Sequence, residues 1–566
     1  MLRSTTSDAK PDRDVAAGTT SHAAITSQRR LSGLARLVHL SPTLTHGDRM
    51  VRSPLLLLAL LAACSDSGLA MKGTSDEAAM VPSDTAGGGA DAGDADVDED
   101  TDPPETESDY LRLAPAATDA FVFVANPDRD SVTRIQVDTL AVLTAAVGDH
   151  PSVVTTSADY SRAVTFNEGS DDVSIIDAAT LAVKTVGVRD DFNQMAMSGD
   201  GEWVMCWYDP DTESTGQTGG VQSFNEVSFV RLDDAKHFPM AVGPKPHAVR
   251  WSADGTKAIV VSDASLALLD LTAATLAPVL IPIADDEQDA PPAEEVELSP
   301  NGAYAFVRQF GSDAILVVDL ANLDVTSLPV GSNPTDLDVS PDGQTVAVVS
   351  RGDKQVWTFD AANPFTVPGV IDFPSENAYG SLLYAGAGEK GILYTNAAAI
   401  PHYGLWDTTT GVVTEKSLVK PVGSMGISPT GGSLLVFHTH GDADDADRSS
   451  PFYGEWALTL INLADFRDNP MVLEAEPASY TVSDDGRYGY FIMGTMKYLE
   501  TLNFSTLLVD EVPLPSTPVH IGVLPDSNLA YASQEHDLGR LSFYDPDAAT
   551  LDTITGFELN ADIDHK

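Results

Sequence analysis

A short apolar strand that ends in aspartate or asparagine recurs through most of the chain. Ten copies, among them "SIIDAATL", "VVDLANL" and "FYDPDAATL", follow one another about every 45 residues. The terminal Asx residues are Asp138, Asp177, Asp233, Asp270, Asp319, Asp360, Asp407, Asn462, Asn503 and Asp545. An Asx side chain can accept a hydrogen bond from the backbone two residues on and so close a turn. We therefore predict turns at these positions and not a set of catalytic carboxylates.

A second turn signal precedes each of the last nine Asx turns. It is carried by segments such as "SADG", "SPNG" and "SPDG", whose Pro, Asp and Gly suit a hairpin between two strands. Each unit thus consists of strand, hairpin, strand, loop, strand, Asx turn and strand. A four-strand unit of about 40–45 residues is typical of propeller blades. The sequence predicts an all-β fold, a β-propeller of four-stranded antiparallel blades.

The number of blades stays open at this point. Nine full units plus one without its first strand exceed the usual range of about 4 to 8 blades. The chain could form one large ring or two sub-assemblies, or some units could be irregular. In a single ring, the C-terminal "FELNADI" could supply the first strand that "DAFVFVAN" lacks.

Two units carry a family resemblance. The segments "GSNPTDLDVSPDGQTVAVVSRGDKQVWTFDAAN" and "AEEVELSPNGAYAFVRQFGSDAILVVDLANL" resemble the YVTN family of β-propeller repeats, known from microbial surface-layer and exported proteins. The resemblance covers about residues 119 to 560 and rests on turns and strand pattern. It implies a fold more firmly than a function. The chain departs from the family at the strand that normally contains Tyr-Val, where "FVFVAN", "AVTFNE", "AVVSRG" and "AYASQE" stand.

An export signal is predicted at residues 50–64. Arg52 provides a positive start, Leu55 to Leu61 an apolar run, and two alanines precede Cys64. The run is too short to span a bilayer as a helix. "LAAC" resembles the lipobox of bacterial lipoproteins, which implies lipidation of Cys64 and anchoring in a lipid bilayer, at an outer membrane or cell surface. The alternative is an ordinary signal peptide whose cysteine is there by chance.

The regions on either side of this signal differ in composition. Residues 1–49 lack amphipathic periodicity, and we expect either a gene start placed upstream of the true initiator Met50 or a disordered extension. Residues 65–118 are rich in Gly, Ala and Asp, with no Lys or Arg between Gly73 and Leu111. This composition predicts a disordered acidic tether, whose aspartates could also capture Ca²⁺ weakly. The propeller is then expected over residues 119–566.

Charge and cysteine content argue against nucleic-acid binding and against an internal disulfide. The chain has 84 acidic and 32 basic residues, a net charge of −52, so binding to nucleic acid is not expected. With Cys64 lipidated, Cys206 has no intramolecular partner and is predicted to be a buried hydrophobic residue.

One face of the predicted propeller collects the long insertions and most histidines. Segments 207–226 and 438–456 both join the second strand of a blade to the third. That face is also predicted to hold His150, His247, His402, His438, His440, His520 and His536. Imidazole is a common metal ligand, so a metal or acidic-ligand site is one interpretation. The other is that polar residues collect in loops anyway.

The sharpest cluster is His438, His440, Asp442 and Asp444, followed by Asp445 and Asp447. If the strand continues to His440, the two imidazoles lie on one side, and nearby carboxylates could complete a Zn²⁺ or Ca²⁺ shell. No cofactor is otherwise predicted. The candidate ligand-binding face comprises this cluster with His247, His402, His520 and His536.

Signatures of catalysis are missing from the sequence, which contains no G-x-S-x-G, H-E-x-x-H or Walker A motif. We therefore expect a lipid-anchored, exported binding module without catalytic activity, whose loop-rich face contacts a protein or polysaccharide. A propeller enzyme, either lactonase-like or a metal-assisted hydrolase using the histidines, is the alternative. A structural surface component is a further one.

Overall fold

A computed structural model describes residues 115–209, 225–284, 291–309 and 311–558. All of them belong to one compact unit, 39–566. The predicted signal with Cys64, most of the predicted tether, residues 210–224 of the first insertion and the end of "FELNADI" lie outside the described residues. In the described part of the chain, no helix is long and apolar enough to cross a membrane.

The first five blades are sheets of four consecutive strands. Blade 1 contains β1 (Ala116–Ala117), β2 (Phe121–Asn126), β3 (Ser131–Gln136) and β4 (Ala141–Ala146), with a 3-10 turn at Pro127–Arg129. Blade 2 contains β5 (Pro151–Thr156), β6 (Arg162–Asn167), β7 (Asp172–Asp177) and β8 (Val183–Gly187). Blade 3 contains β9 (Gln194–Met197), β10 (Trp203–Trp207), β11 (Glu226–Arg231) and β12 (Lys236–Ala241). Blade 4 contains β13 (Pro246–Trp251), β14 (Lys257–Ser262), β15 (Ser265–Asp270) and β16 (Val279–Pro282). Blade 5 contains β17 (Ala293–Leu298), β18 (Tyr304–Gln309), β19 (Ala314–Asp319) and β20 (Val325–Pro329).

The other five blades repeat this order. Blade 6 contains β21 (Pro334–Val339), β22 (Thr345–Ser350), β23 (Gln355–Asp360) and β24 (Gly369–Asp372). Blade 7 contains β25 (Ser381–Ala385), β26 (Lys390–Tyr394), β27 (His402–Asp407) and β28 (Val412–Ser417). Blade 8 contains β29 (Val422–Ile427), β30 (Ser433–His438), β31 (Trp456–Asn462) and β32 (Arg467–Leu473). Blade 9 contains β33 (Pro477–Val482), β34 (Tyr488–Met493), β35 (Tyr498–Asn503) and β36 (Val509–Pro513). Blade 10 contains β37 (Pro518–Val523), β38 (Ala530–Gln534), β39 (Arg540–Asp545) and β40 (Thr550–Thr555).

Eight of the ten predicted Asx turns are formed at the ends of third strands. The Oδ1 atom accepts a backbone N–H two or three residues on at Asp177, Asp270, Asp319, Asp360, Asp407, Asn462, Asn503 and Asp545. In the hairpins, too, an aspartate side chain accepts hydrogen bonds from nearby residues. In "SADG", Ser252 donates to Asp254 at 2.7 Å, and hydrogen bonds led by this one lower the pKa of Asp254 to about 2. The turn interpretation of these acidic residues is confirmed.

Ten apolar clusters hold the blades together, one at each interface between neighbours. Side chains alternate along a strand, so each sheet offers one face to the preceding blade and one to the following blade. In blade 5, for example, Val307 packs toward blade 4 and Phe306 toward blade 6. The tenth cluster joins blade 10 to blade 1 through residues such as Phe543 and Val122. The described residues therefore form a single closed ring, a ten-bladed propeller.

The prediction that the C-terminal segment supplies the first strand of blade 1 was wrong. Ala117 pairs with Val122, so β1 supplies the first strand of blade 1 from the N-terminal side. The Tyr531 hydroxyl donates to the carbonyl of Pro115 at 2.9 Å and ties this short strand to blade 10. A two-residue strand has no periodicity to detect, which is why the sequence pattern missed it.

The first strands lie innermost in the ring. First strands of neighbouring blades contact each other, as β17 does with β21 and β33 with β37, whereas fourth strands such as β36 are largely exposed. Most first strands share a β-bulge between their first and third residues: Pro151/Val153, Pro246/Ala248, Ala293/Glu295, Pro334/Asp336, Val422/Ser424, Pro477/Ser479 and Pro518/His520. The third residue is thus equivalent from blade to blade, and it is used in the sites below.

Candidate functional site

Loop 439–455 and the described ends of the first insertion lie on one face of the propeller, as predicted. Loops between second and third strands meet the connections between blades there. Asp209 donates its N–H to Asn193 Oδ1 at 2.8 Å, and Thr439 donates its N–H to the Pro421 carbonyl at 3.2 Å. We call this the loop-rich face. Its longest fully described loop is 439–455, between β30 and β31.

A buried lysine holds both ends of this loop. The Lys420 residue is only 2% exposed. Its Nζ donates to the carbonyl of His440 at 2.9 Å and to that of Glu455 at 2.7 Å. It also lies 3.1 Å from Asp442 Oδ1, and Asp442 Oδ2 accepts the N–H of Gly454 at 2.9 Å. A buried ammonium is tolerated only when paired and hydrogen-bonded, so Lys420 fixes the path of the loop.

His438 is part of the packing beneath the loop. It is 3% exposed, and its Nδ1 lies 3.1 Å from the Pro421 carbonyl while its Nε2 lies 2.7 Å from Thr459 Oγ1. Burial lowers the pKa of His438 to about 4. The ring is neutral at pH 7, and both of its nitrogens already have hydrogen-bond partners.

A cleft of about 240 Å³ opens between blades 8 and 9 at the rim of this loop. The exposed His440 packs against Trp456, with ring centroids 5.0 Å apart. Further into the cleft, Phe437 and Tyr480 lie 4.3 Å apart between ring centroids. The remaining lining residues include Ser424, Thr439, Glu476 and Pro477. We call it the blade 8–9 cleft; neither Asp442 nor Asp444 lines it.

The other predicted histidines lie on different blades. His247 on blade 4 has Nε2 3.0 Å from the Ala293 carbonyl, and His402 begins the third strand of blade 7. On blade 10, His536 Nδ1 accepts the N–H of Leu538 at 3.1 Å, and burial lowers the pKa of His520 to about 4. The structure therefore distributes these side chains around the ring and does not bring them to the His438 cluster.

The sequence analysis missed a buried acidic trio formed by Glu295, Asp336 and Asp338. Ligand atoms of the three lie within 4.8 Å of one another, and it is the one such group of three or more in the described part of the chain. Its members come from the first strands of blades 5 and 6. The detectable signal was the alternation of acids in "AEEVEL" and "PTDLDV", since residues two apart lie on one side of a strand.

The trio has both structural and chemical consequences. Glu295 Oε2 accepts the N–H of Leu337 at 2.7 Å, and Asp336 Oδ2 accepts that of Leu382, so each carboxylate reaches the next blade. Arg308 donates to Glu295 at 3.1 Å; although burial disfavours its charge, the neighbouring carboxylates raise its pKa. Carboxylate oxygens are the ligands that Ca²⁺ prefers, so these three residues could hold a hard divalent cation.

Fold and site together define a ten-bladed β-propeller with a loop-rich face and a cleft between blades 8 and 9 on that face. No protein-family model matches the chain, and no curated protein sequence matches it. Solved structures resemble part of the chain.

Three of these structures illustrate the likeness. Hydrazine synthase of Kuenenia stuttgartiensis is 17% identical over 55% of this chain and 95% of its own, with a TM-score of 0.33. Dihydro-heme d1 dehydrogenase NirN is 16% identical over 62% of this chain and 73% of its own, with a TM-score of 0.40. AztD from Citrobacter koseri is 14% identical over 54% of this chain and 86% of its own, with a TM-score of 0.36. We draw no functional conclusion from likenesses of this degree.

Proposed function

We propose that this protein is an exported binding module that works without catalysis and contacts its ligand through the blade 8–9 cleft and the loop beside it. The observation that carries the proposal is the anchoring of loop 439–455 by Lys420. A loop held at both ends before binding loses little conformational freedom when a ligand arrives. A site of this kind suits recognition.

The chemistry of the cleft also favours binding over turnover. A general base should titrate near the working pH, whereas the pKa of His438 is about 4. Its two nitrogens hold the Pro421 carbonyl and the Thr459 hydroxyl. His438 thus acts as a support for the cleft wall.

A loop exchange tests the binding face. Residues 443–453 are replaced by a short Gly-Ser linker, which keeps Asp442 and the carbonyls of His440 and Glu455 for Lys420. The control replaces residues 362–368 on the opposite face in the same way and keeps the buried Ala361. Binding of the labelled protein to purified envelope polysaccharides and to isolated envelope proteins is then measured. We expect loss with the first variant only; equal binding by both variants would refute the assignment of the face.

The proposal includes the anchor at Cys64. A lipobox-like "LAAC" supports it, and two or more acyl chains give stable membrane attachment. The acidic segment 65–118 would then space the propeller from the bilayer. Intact-mass analysis of protein extracted from native membranes tests this: a chain that begins at a lipidated Cys64 is expected, and an unlipidated chain that retains residues 1–49 overturns it.

A metal-dependent function is the second candidate, favoured by the acidic trio. It predicts one equivalent of a divalent metal in the purified protein, lost in Asp338→Asn, and hydrolytic activity that depends on the metal. A metal-free protein that still binds through the loop-rich face would exclude it. A purely structural surface role, in turn, predicts that the loop exchange changes no binding at all.

A further inference from the structure

We propose that the blade 8–9 cleft binds a single sugar ring that is neutral or carries an amino group, presented by a glycan. This inference rests on the proposed binding function and names the ligand class of that same cleft. The size, the walls and the charge of the cleft favour a saccharide over a protein segment as its ligand.

Size comes first. Pockets for drug-sized ligands span roughly 300–1,000 Å³, and the cleft measures about 240 Å³. The cleft therefore accommodates one ring-sized group and not a peptide segment with several side chains. Because it lies at a rim of the loop-rich face, a ring can enter while the rest of a longer chain stays in solvent.

The walls suit a molecule with one apolar face and several hydroxyl groups. Trp456 is half-buried and contacts His440, while Phe437 and Tyr480 are nearly fully buried and packed on one another. Rigid aromatic side chains provide contact area at little cost in conformational entropy. The C–H face of a sugar ring can lie against such a wall, which leaves its hydroxyls for polar groups.

A buried hydroxyl group lies in the same cleft without a partner among the described residues. Ser424 is 4% exposed, lines the cleft, and its Oγ makes no hydrogen bond there. Ser424 occupies the third position of its first strand, where the equivalent Glu295 and Asp336 reach toward the next blade. Its side chain thus faces the blade 9 side, where the cleft opens. The Oγ is itself covered, so a ligand hydroxyl would reach it after a small local rearrangement and would then satisfy a group that is costly to leave unpaired.

Charge narrows the class of sugar. Glu476 at the rim is exposed and lines the cleft, and the charge of Lys420 is matched by Asp442. With a net charge of −52 on the whole chain, uronic acids and sulfated sugars are repelled. A protonated amino group is attracted to Glu476 and can also interact with the aromatic faces.

Saturation-transfer NMR and calorimetry on the full chain with glucose, glucosamine and glucuronate test the proposal. We expect glucose and glucosamine to bind and glucuronate not to bind. Trp456→Ala should weaken binding roughly tenfold or more and Ser424→Ala by a few-fold. Tyr453→Ala is the matched control, because Tyr453 lies exposed on the same loop, contacts Arg448 and does not line the cleft.

Glu476→Gln is a second test of the proposal. Because Glu476 is exposed, we expect this variant to fold normally. It should weaken glucosamine several-fold and leave glucose unchanged. Preferential binding of glucuronate, or sugar binding that Trp456→Ala and Glu476→Gln leave intact, overturns the assignment. If no sugar binds but the loop exchange still abolishes binding of an envelope protein, the saccharide proposal fails and the binding function stands. If neither is seen, both fail.

Discussion

The first strands of blades 5 and 6 and those of blades 8 and 9 use the same position in opposite ways. In blades 5 and 6 the third residue is Glu295 or Asp336, whose carboxylate accepts an N–H from the following blade. In blades 8 and 9 it is Ser424 or Ser479. A charged side chain there reaches the next blade, whereas the short Ser424 side chain lines the blade 8–9 cleft.

The comparison shows that blades of one repeat pattern place their buried charges at different positions. Unpaired strand edges must be satisfied or covered, and blades 5 and 6 do this with buried carboxylates and Arg308. In blade 8 the buried charged residue is Lys420. It lies in the connection before the first strand and holds both ends of loop 439–455. Buried charge supports blade contacts in one region and fixes the path of loop 439–455 in the other.

The largest expected effect comes from Lys420→Met. The substitution removes the donor of two carbonyl groups and the partner of Asp442, so we expect a loss of about 3–5 kcal/mol in the free energy of unfolding together with loss of ligand binding. Urea titration measures the stability. Lys354→Met, which breaks the exposed pair with Glu376, is the control and should cost under about 1 kcal/mol. Equal losses would show that Lys420 does not anchor the loop.

Glu295→Gln removes the charge of a buried carboxylate between blades 5 and 6. Arg308 loses a charged partner in a buried site, and we expect the free energy of unfolding to fall by about 2–3 kcal/mol with sugar binding at the blade 8–9 cleft unchanged. The measurement is urea unfolding paired with calorimetry. A loss of binding without loss of stability would mean that the two regions are coupled and the contrast is false.

The buried histidines predict a pH dependence. Burial holds the pKa of His438 and of His520 at about 4, below the unfolded value of about 6.5. Between these values the unfolded chain binds more protons, so stability falls as the pH drops from 6.5 toward 4 and levels off below it. Each histidine should cost about 2 kcal/mol between pH 7 and pH 5.

Two variants separate this effect from general acid unfolding. In urea unfolding at pH 7 and pH 5, His520→Asn should reduce the pH-dependent loss by about that amount, whereas Val367→Ala, at an exposed side chain that does not titrate, should leave it unchanged. Identical pH profiles for both variants would contradict the assignment to His520.

The smallest effect on stability is expected for Ser424→Ala. Because its Oγ makes no hydrogen bond within the described residues, the free energy of unfolding should change by less than about 0.5 kcal/mol, or rise slightly. A thermal melt checks this. A loss above about 1 kcal/mol would reveal a structural role for the hydroxyl and would weaken the contrast with Glu295.

Part of the site could be anticipated from sequence and part could not. Turn chemistry is local, so Asp177 or Asp254 could be assigned from a few neighbouring residues, and the loop-rich face followed from counting connections. The roles of His438 and Lys420 could not be assigned, because they depend on which carbonyls lie within 3 Å or so after folding. Lipidation of Cys64, the tether and the bound ligand stay predictions.

The sequence by itself determined the class of fold, the ten repeating units and the turns between their strands, because these depend on side chains within a few residues of one another. Only the tertiary structure decided that the ten blades form one ring, that Ala116–Ala117 complete the first blade, and that Glu295 meets Asp336 while Lys420 meets Asp442 and the loop ends. Those contacts join residues on neighbouring blades or on separate connections. Their distances are set by packing of whole sheets, which no local pattern encodes.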